Sequence, residues 1–158
     1  MTDGRYEIDA IVPELREQLL VSTRAIIGAP PGSGKSTVLP LRLLDEPWLE
    51  GRKILLLQPR RIAARNIAFR LSELHGSTVG DTVGYRVRFE SCVSKKTRLE
   101  VITEGILLRL LQEDSALEEY ALVVFDEFHE RSLQAELALA LTLDAQAALR
   151  PDLRIVLM

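Results

Sequence analysis

The chain is poor in the residues that build covalent or metal staples: it has one cysteine, Cys92, and two histidines, His75 and His129. An internal disulfide is therefore excluded, and no zinc-binding set of Cys and His can be assembled. Long apolar runs are also missing. The nearest candidate, Leu19 to Ile27, is interrupted by Arg24 and falls well short of the roughly 18 residues of a membrane helix, so no membrane partner is expected. Excess positive charge is absent too, since 20 Lys and Arg stand against 23 Asp and Glu for a formal charge of −3. Any nucleic-acid site must then be local. Met1 to Ala10 is polar and acidic, unlike a signal peptide, and the expected setting is a reduced, cytoplasmic one.

What is present is ordinary for a globular domain. At 47% hydrophobic and 27% charged residues, disorder, collagen-like repeats and coiled coil are set aside. A length of 158 residues suits one domain at roughly 100–200 residues per domain. The chain stops at Met158, directly after an apolar stretch.

Apolar runs alternate with helical patterns. Arg24 to Ala29 reads as a short strand entering a Pro/Gly loop, and Ser36 to Leu44 carries apolar residues at helical spacing. Lys53 to Gln58 is continuously apolar after its first residue, as expected of a strand covered on both faces. Pro59 to Leu74 reads as a helix stopped near Gly76. Val83 to Phe89 and Leu99 to Thr103 are β-like, and Glu104 to Gln112 is a short helix. Tyr120 to Phe125 is the most apolar strand candidate; Ser132 is placed to cap a Leu/Ala helix reaching Leu149, and Arg154 to Met158 begins another strand. Such alternation predicts an α/β fold, a mostly parallel sheet with helices on both faces.

Two constellations carry chemistry. Ala29-Pro30-Pro31-Gly32-Ser33-Gly34-Lys35-Ser36, followed by Thr37, lies between a strand and a predicted helix, the context of a phosphate-binding loop. Gly32 and Gly34 let backbone N–H groups converge on phosphate oxygens, Lys35 is placed for the β and γ phosphates, and the Ser36 hydroxyl for Mg²⁺. The alternative is a plain Pro/Gly turn. The second constellation, Val123 to His129, begins on an apolar strand and delivers Asp126, 91 residues after Lys35, and then Glu127. Asp126 suits a Mg²⁺ shell, and Glu127 suits orientation and deprotonation of an attacking water. The bland reading is a strand end capped by surface acids.

These motifs, with Gln58-Pro-Arg-Arg61, Gly84-Tyr-Arg-Val-Arg-Phe-Glu90 and Thr103-Glu-Gly105 in order between them, resemble superfamily 2 helicases of the DEAH/RHA group. Asp126 to Leu133 and Ala29-Pro-Pro-Gly32 look most like the bacterial HrpB-type branch; Phe128 stands where the group name has Ala. The resemblance implies a RecA-like P-loop NTPase fold, with the strand after the carboxylates inserted between theirs and that of the phosphate loop. It implies ATP and Mg²⁺ as cofactors, with Ser36, Asp126 and Glu127 at the metal, and Lys35, Asp126, Glu127 and His129 as catalytic residues. His129 is then the link to a partner domain, and Arg70 the residue stacked on adenine. Arg60, Arg61, Thr103 and Gly105 are implied to contact a single-stranded nucleic acid, taken as RNA, and Arg86 and Arg88 to belong to a turn that guides the strand. Residues 1–158 are accordingly expected to be the first RecA-like domain of an ATP-dependent helicase, ending just before a Ser-Ala-Thr motif. The second such domain of the same chain is then a missing partner, and the piece alone is expected to be essentially inactive.

Read without the resemblance, the arginines are less telling. Arg60, Arg61, Arg65 and Arg70 form a basic cluster along one helix that also suits a solvated face, and Arg86 and Arg88 alternate along a strand whose wet side they could line. A P-loop phosphotransferase for a small molecule, or a nucleic-acid-binding module with a vestigial ATP site, are the rival functions.

Overall fold

Continuous apolar runs make the sheet. The computed structural model of the chain describes residues 6–158. A 3-10 turn at Glu7–Ala10 leads into α1 (Val12–Val21), β1 (Arg24–Ile26) and α2 (Leu39–Arg42). After a second such turn at Pro47–Leu49 come β2 (Lys53–Gln58), α3 (Arg61–His75), β3 (Val83–Val87), β4 (Glu90–Cys92) and β5 (Leu99–Thr103). The remainder is α4 (Glu104–Glu113), β6 (Tyr120–Phe125), a 3-10 turn at Phe128–Glu130, α5 (Leu133–Ala148) and β7 (Arg154–Leu157). The seven strands lie in the order β1-β7-β6-β2-β5-β3-β4. Every pairing is parallel except the β3–β4 hairpin. Insertion of β7 between β6 and β1 is the arrangement the resemblance implied.

Alternate residues of each strand feed opposite cores. Ile54 and Leu56 of β2 join a cluster with α1 and α3, through Leu15, Leu19, Ala64, Ala68 and Leu71. Leu55 and Leu57 join the other, with Leu107 and Leu111 of α4 and Ala138 and Ala145 of α5. Both faces of the sheet are therefore covered, and each fully buried Leu, Ile or Val contributes about 1.5–3 kcal/mol. Among the described residues no helix is long and apolar enough to cross a membrane.

Two local expectations are corrected. The helix expected from Ser36 to Leu44 is α2 alone, because Pro40 has no N–H to donate back to Ser36 and the turn before it winds differently. The N–H groups of Thr37, Val38 and Leu39 all converge on the Gly34 carbonyl, at 3.3, 2.7 and 3.2 Å. The second correction is β4, absent from the sequence reading. Val87 pairs with Glu90 across a two-residue Arg88-Phe89 turn closed by Phe89 at φ 67°, a pair of residues with no Gly, Asn or Asp to announce a hairpin. The described part of the polar opening segment is tied into the fold: Ile8 N–H donates to the Ser33 carbonyl (3.0 Å), and buried Asp9 accepts from Arg42 Nε at 2.9 Å. Trp48, expected to pack a loop, is buried with the Arg154 guanidinium 4.2 Å from its ring.

Gly84 sits where β3 passes under the hairpin. A Cβ there collides with the Cys92 carbonyl oxygen and comes within 2.9 Å of the Val93 side chain. Gly84→Ala is therefore expected to destabilise the fold by more than ~1 kcal/mol, read as a lower midpoint in urea unfolding; an unchanged midpoint contradicts this packing.

Candidate functional site

Parallel pairing places the ends of β2, β5 and β6 side by side: Gln58 is in register with Thr103, and Leu57 with Phe125. The segments that follow carry Arg60, Gly105 in the first turn of α4, and Asp126, at the carboxyl ends of the strands, where open α/β sheets bind ligands. β7 separates them from β1 and the phosphate loop.

The loop from Ala29 to Ser36 is held from inside. Gly32 and Gly34 adopt φ 80° and 95°, and a Cβ at Gly34 would press within 3.1 Å of both Ile8 and Val38. Lys35 Nζ donates to the Ala29 carbonyl at 3.1 Å, bridging the two ends of the loop. The Ser33 hydroxyl is buried without a hydrogen-bond partner, an orphan in a loop whose composition suits phosphate. Glycines at positive φ, an orphaned hydroxyl and a lysine bound only to a carbonyl together fit a triphosphate.

Asp126 is buried, and both of its oxygens are occupied: Gln58 Nε2 donates to Oδ2, and the Glu127 N–H to Oδ1 at 2.9 Å. These bonds satisfy both oxygens and fix the side chain's rotamer. Glu127 then turns into the left-handed region at φ 56°, as does Arg131 at φ 51°, bracketing the short turn that carries His129 and Glu130. Non-glycine residues in that region cost about 1–3 kcal/mol each and persist only where surroundings impose them. Here the Phe128 N–H donates to the Met158 carbonyl at 3.1 Å, and its ring packs edge-on against Phe125 at 6.2 Å. Phe128, the departure from the group pattern, thus anchors the turn to the core.

His129 Nε2 lies 3.2 Å from Glu127 Oε2. Glu127, His129 and Glu130 are the metal-capable side chains that lie together among the described residues, whereas the expected metal set was Ser36, Asp126 and Glu127. The Glu127–His129–Glu130 trio is half-buried to exposed, and its members already pair with neighbours.

The presumed strand-binding residues divide. Thr103 stands at the N-cap of α4 without capping through its side chain, so its hydroxyl is not committed to the helix. Gly105 is exposed, and a Cβ on it meets nothing within 4 Å. Arg60 is exposed but held by Glu130, Nη2 to Oε1 at 2.6 Å. Arg61 lines the same groove as Arg60. Arg88 is exposed with its guanidinium over the Phe89 ring. Arg86 instead turns inward to the fully buried Glu100, Nε to Oε2 at 3.1 Å. That carboxylate is also met by Lys53 Nζ and Tyr120 Oη at 3.1 Å each. Burial and the Glu100 charge push the Tyr120 phenol well above its usual value, so it stays a neutral donor. Arg70 is exposed on α3 and bonded to Glu73 at 2.6 Å; that bond and charge raise its already high pKa.

Sequence reading missed three groups here. Gln58 was seen only as part of a motif, not as the donor to Asp126. Glu104, buried in the Thr-Glu-Gly segment, accepts from the Ser132 hydroxyl at 2.9 Å, and the same hydroxyl caps α5 by accepting from Ala135 N–H. Glu130 carried no sequence signal, since its partner Arg60 is 70 residues away.

The family model for the DEAD/DEAH box helicase matches residues 10–158. The chain is 55% identical over 151 residues to the ATP-dependent RNA helicase HrpB of Escherichia coli, covering 96% of this chain and 18% of that protein. It is 38% identical over 156 residues to the ATP-dependent RNA helicase HrpA of Borreliella burgdorferi, covering 99% of this chain and 19% of that one. The crystal structure of the Escherichia coli DEAH/RHA helicase HrpB superposes with a TM-score of 0.93 at 54% identity, over 97% of this chain and 19% of that chain. The chain thus spans about a fifth of the length of the curated relatives it matches, and its shared fold, ordered motifs and matched length make it a member of the DEAD/DEAH box helicase family.

Proposed function

We propose that this chain is the ATP-binding motor domain of an ATP-dependent RNA helicase, in which ATP hydrolysis drives movement along a single strand. The observation that carries the reading is the Gln58–Asp126 hydrogen bond between the ends of β2 and β6. It joins a carboxylate suited to nucleotide chemistry to a strand that, two residues on, presents Arg60. The RNA preference rests on the relatives, since phosphate contacts do not report the sugar.

In this reading the Ala29–Ser36 loop and Thr37 cradle the phosphates, and Lys35 exchanges its Ala29 carbonyl for phosphate oxygens. Mg²⁺ held by Ser36 and Asp126, with Glu127 beside them, would neutralise charge building on the transferred phosphoryl group. Glu127 orients and deprotonates the attacking water, and His129, 3.2 Å from it, sets its direction and faces a second motor domain. Arg70 stacks on the adenine. Arg60, Arg61, Thr103 and Gly105 hold the strand backbone. Arg86 acts through Glu100 by pinning the hairpin that carries Arg88. Transition-state stabilisation by an arginine supplied from another domain is worth on the order of 10³–10⁵ in rate, so the isolated 158 residues are expected to bind ATP with negligible turnover.

Lys35→Ala in the whole protein is expected to abolish ATPase activity while leaving the circular dichroism spectrum intact; retained turnover removes Lys35 from the phosphate site. Glu130 competes with phosphate for Arg60. An exposed pair is worth at most about 1 kcal/mol, so Glu130→Gln should tighten binding to single-stranded RNA by up to about fivefold, and weaker binding would show that Glu130 presents Arg60 rather than masks it. Gly105→Ala, which has room in the fold, should keep or slightly raise the melting temperature yet weaken RNA binding. Unchanged affinity would take the strand away from the start of α4.

A further inference from the structure

Phe89 is 88% exposed at the tip of the β3–β4 hairpin, with φ 67°. That conformation is rare for a bulky L side chain, and the ring packs in neither core cluster. Its contact is with the guanidinium of Arg88, 4.8 Å from the centroid. The fold thus carries a strained, solvated aromatic ring from which it draws no packing. The hairpin beneath is firmly seated: Arg86 is bound to buried Glu100, and the Tyr85 hydroxyl donates to Glu90. Two grooves meet at this turn, sharing Val87 and Glu90. One, of about 770 Å³, holds Arg60 and Arg61; the other, of about 320 Å³, holds Phe89 and Arg109. An exposed ring backed by a cation and set among arginines fits a flat π-system on an anionic chain.

We propose that Phe89 is a stacking platform for an unpaired nucleobase, lying beside the groove where arginines take the phosphates. The inference rests on the nucleic-acid reading above and adds to it a contact with the base, insensitive to base identity and to sugar. The conformational strain at Phe89 then fixes the ring's aim. No loss of fold is expected on removing it.

The test uses the whole protein, with fluorescence anisotropy on three strands of equal length: oligouridylate, oligothymidylate and an abasic strand bearing the same phosphates. Phe89→Ala is expected to weaken binding to both base-bearing strands by roughly 5- to 100-fold and to leave the abasic strand unaffected. Phe89→Trp is expected to hold wild-type affinity, with indole fluorescence quenched by the base-bearing strands and not by the abasic one. Undiminished affinity of Phe89→Ala for oligouridylate, or an equal loss on the abasic strand, overturns the stacking role while leaving the nucleic-acid reading in place. A wild-type protein that binds none of the three strands overturns that reading itself, and the platform with it.

Discussion

The arrangement of the site depends on one buried contact, the amide of Gln58 against the carboxylate of Asp126. Gln58 ends β2 and Asp126 directly follows β6, and both are nearly inaccessible. A carboxylate so placed is tolerable only when its oxygens are satisfied, and here one donor comes from the neighbouring strand and the other from the next residue's backbone. Because the strands are parallel and in register, fixing Asp126 also fixes the loop after β2. The Arg60–Glu130 pair ties the same two loops a second time, nearer the surface. The groups proposed to face nucleotide and strand thereby sit on one short, doubly linked unit.

Of the five non-glycine residues at positive φ among the described residues, Glu127, Arg131 and Phe89 lie on the loops of the candidate site or the adjacent hairpin tip, while Glu50 and Leu117 lie elsewhere. Each of Glu127, Arg131 and Phe89 is opposed by a specific anchor: Phe128 on Phe125 and the Met158 carbonyl for the first two, and the Arg86–Glu100 pair below the hairpin for the third. Strain of this kind aims side chains that would otherwise turn toward the protein. The phosphate loop follows the same logic from the other direction, with glycines removing steric cost and Ile8 holding the loop through the Ser33 carbonyl.

Much of this was legible in the residue order. The buried strands Lys53–Gln58 and Tyr120–Phe125 declare themselves as continuous apolar runs because both faces are covered, and Ser132 caps α5 as its type and position suggest. The phosphate loop and the Asp126-Glu127 pair follow from local spacing. What escaped depends on partners far apart in sequence or on the lack of a local signal. Nothing in Leu99-Glu-Val-Ile-Thr103 shows that Glu100 will collect Lys53, Arg86 and Tyr120. Arg88-Phe89 does not look like a turn, and Pro40 broke a helix whose apolar spacing looked sound. No local signal marks Asp9 or Glu130 as partners of Arg42 and Arg60, which only the fold brings to them.

The central claim is that the Gln58–Asp126 contact couples strand binding to ATP hydrolysis. Measuring ATP affinity alongside basal and RNA-stimulated turnover in the whole protein carrying Gln58→Leu tests it most directly, since leucine keeps the volume and removes the donor. The account predicts that ATP still binds while RNA no longer accelerates hydrolysis. A Gln58→Leu protein with wild-type RNA stimulation would contradict it.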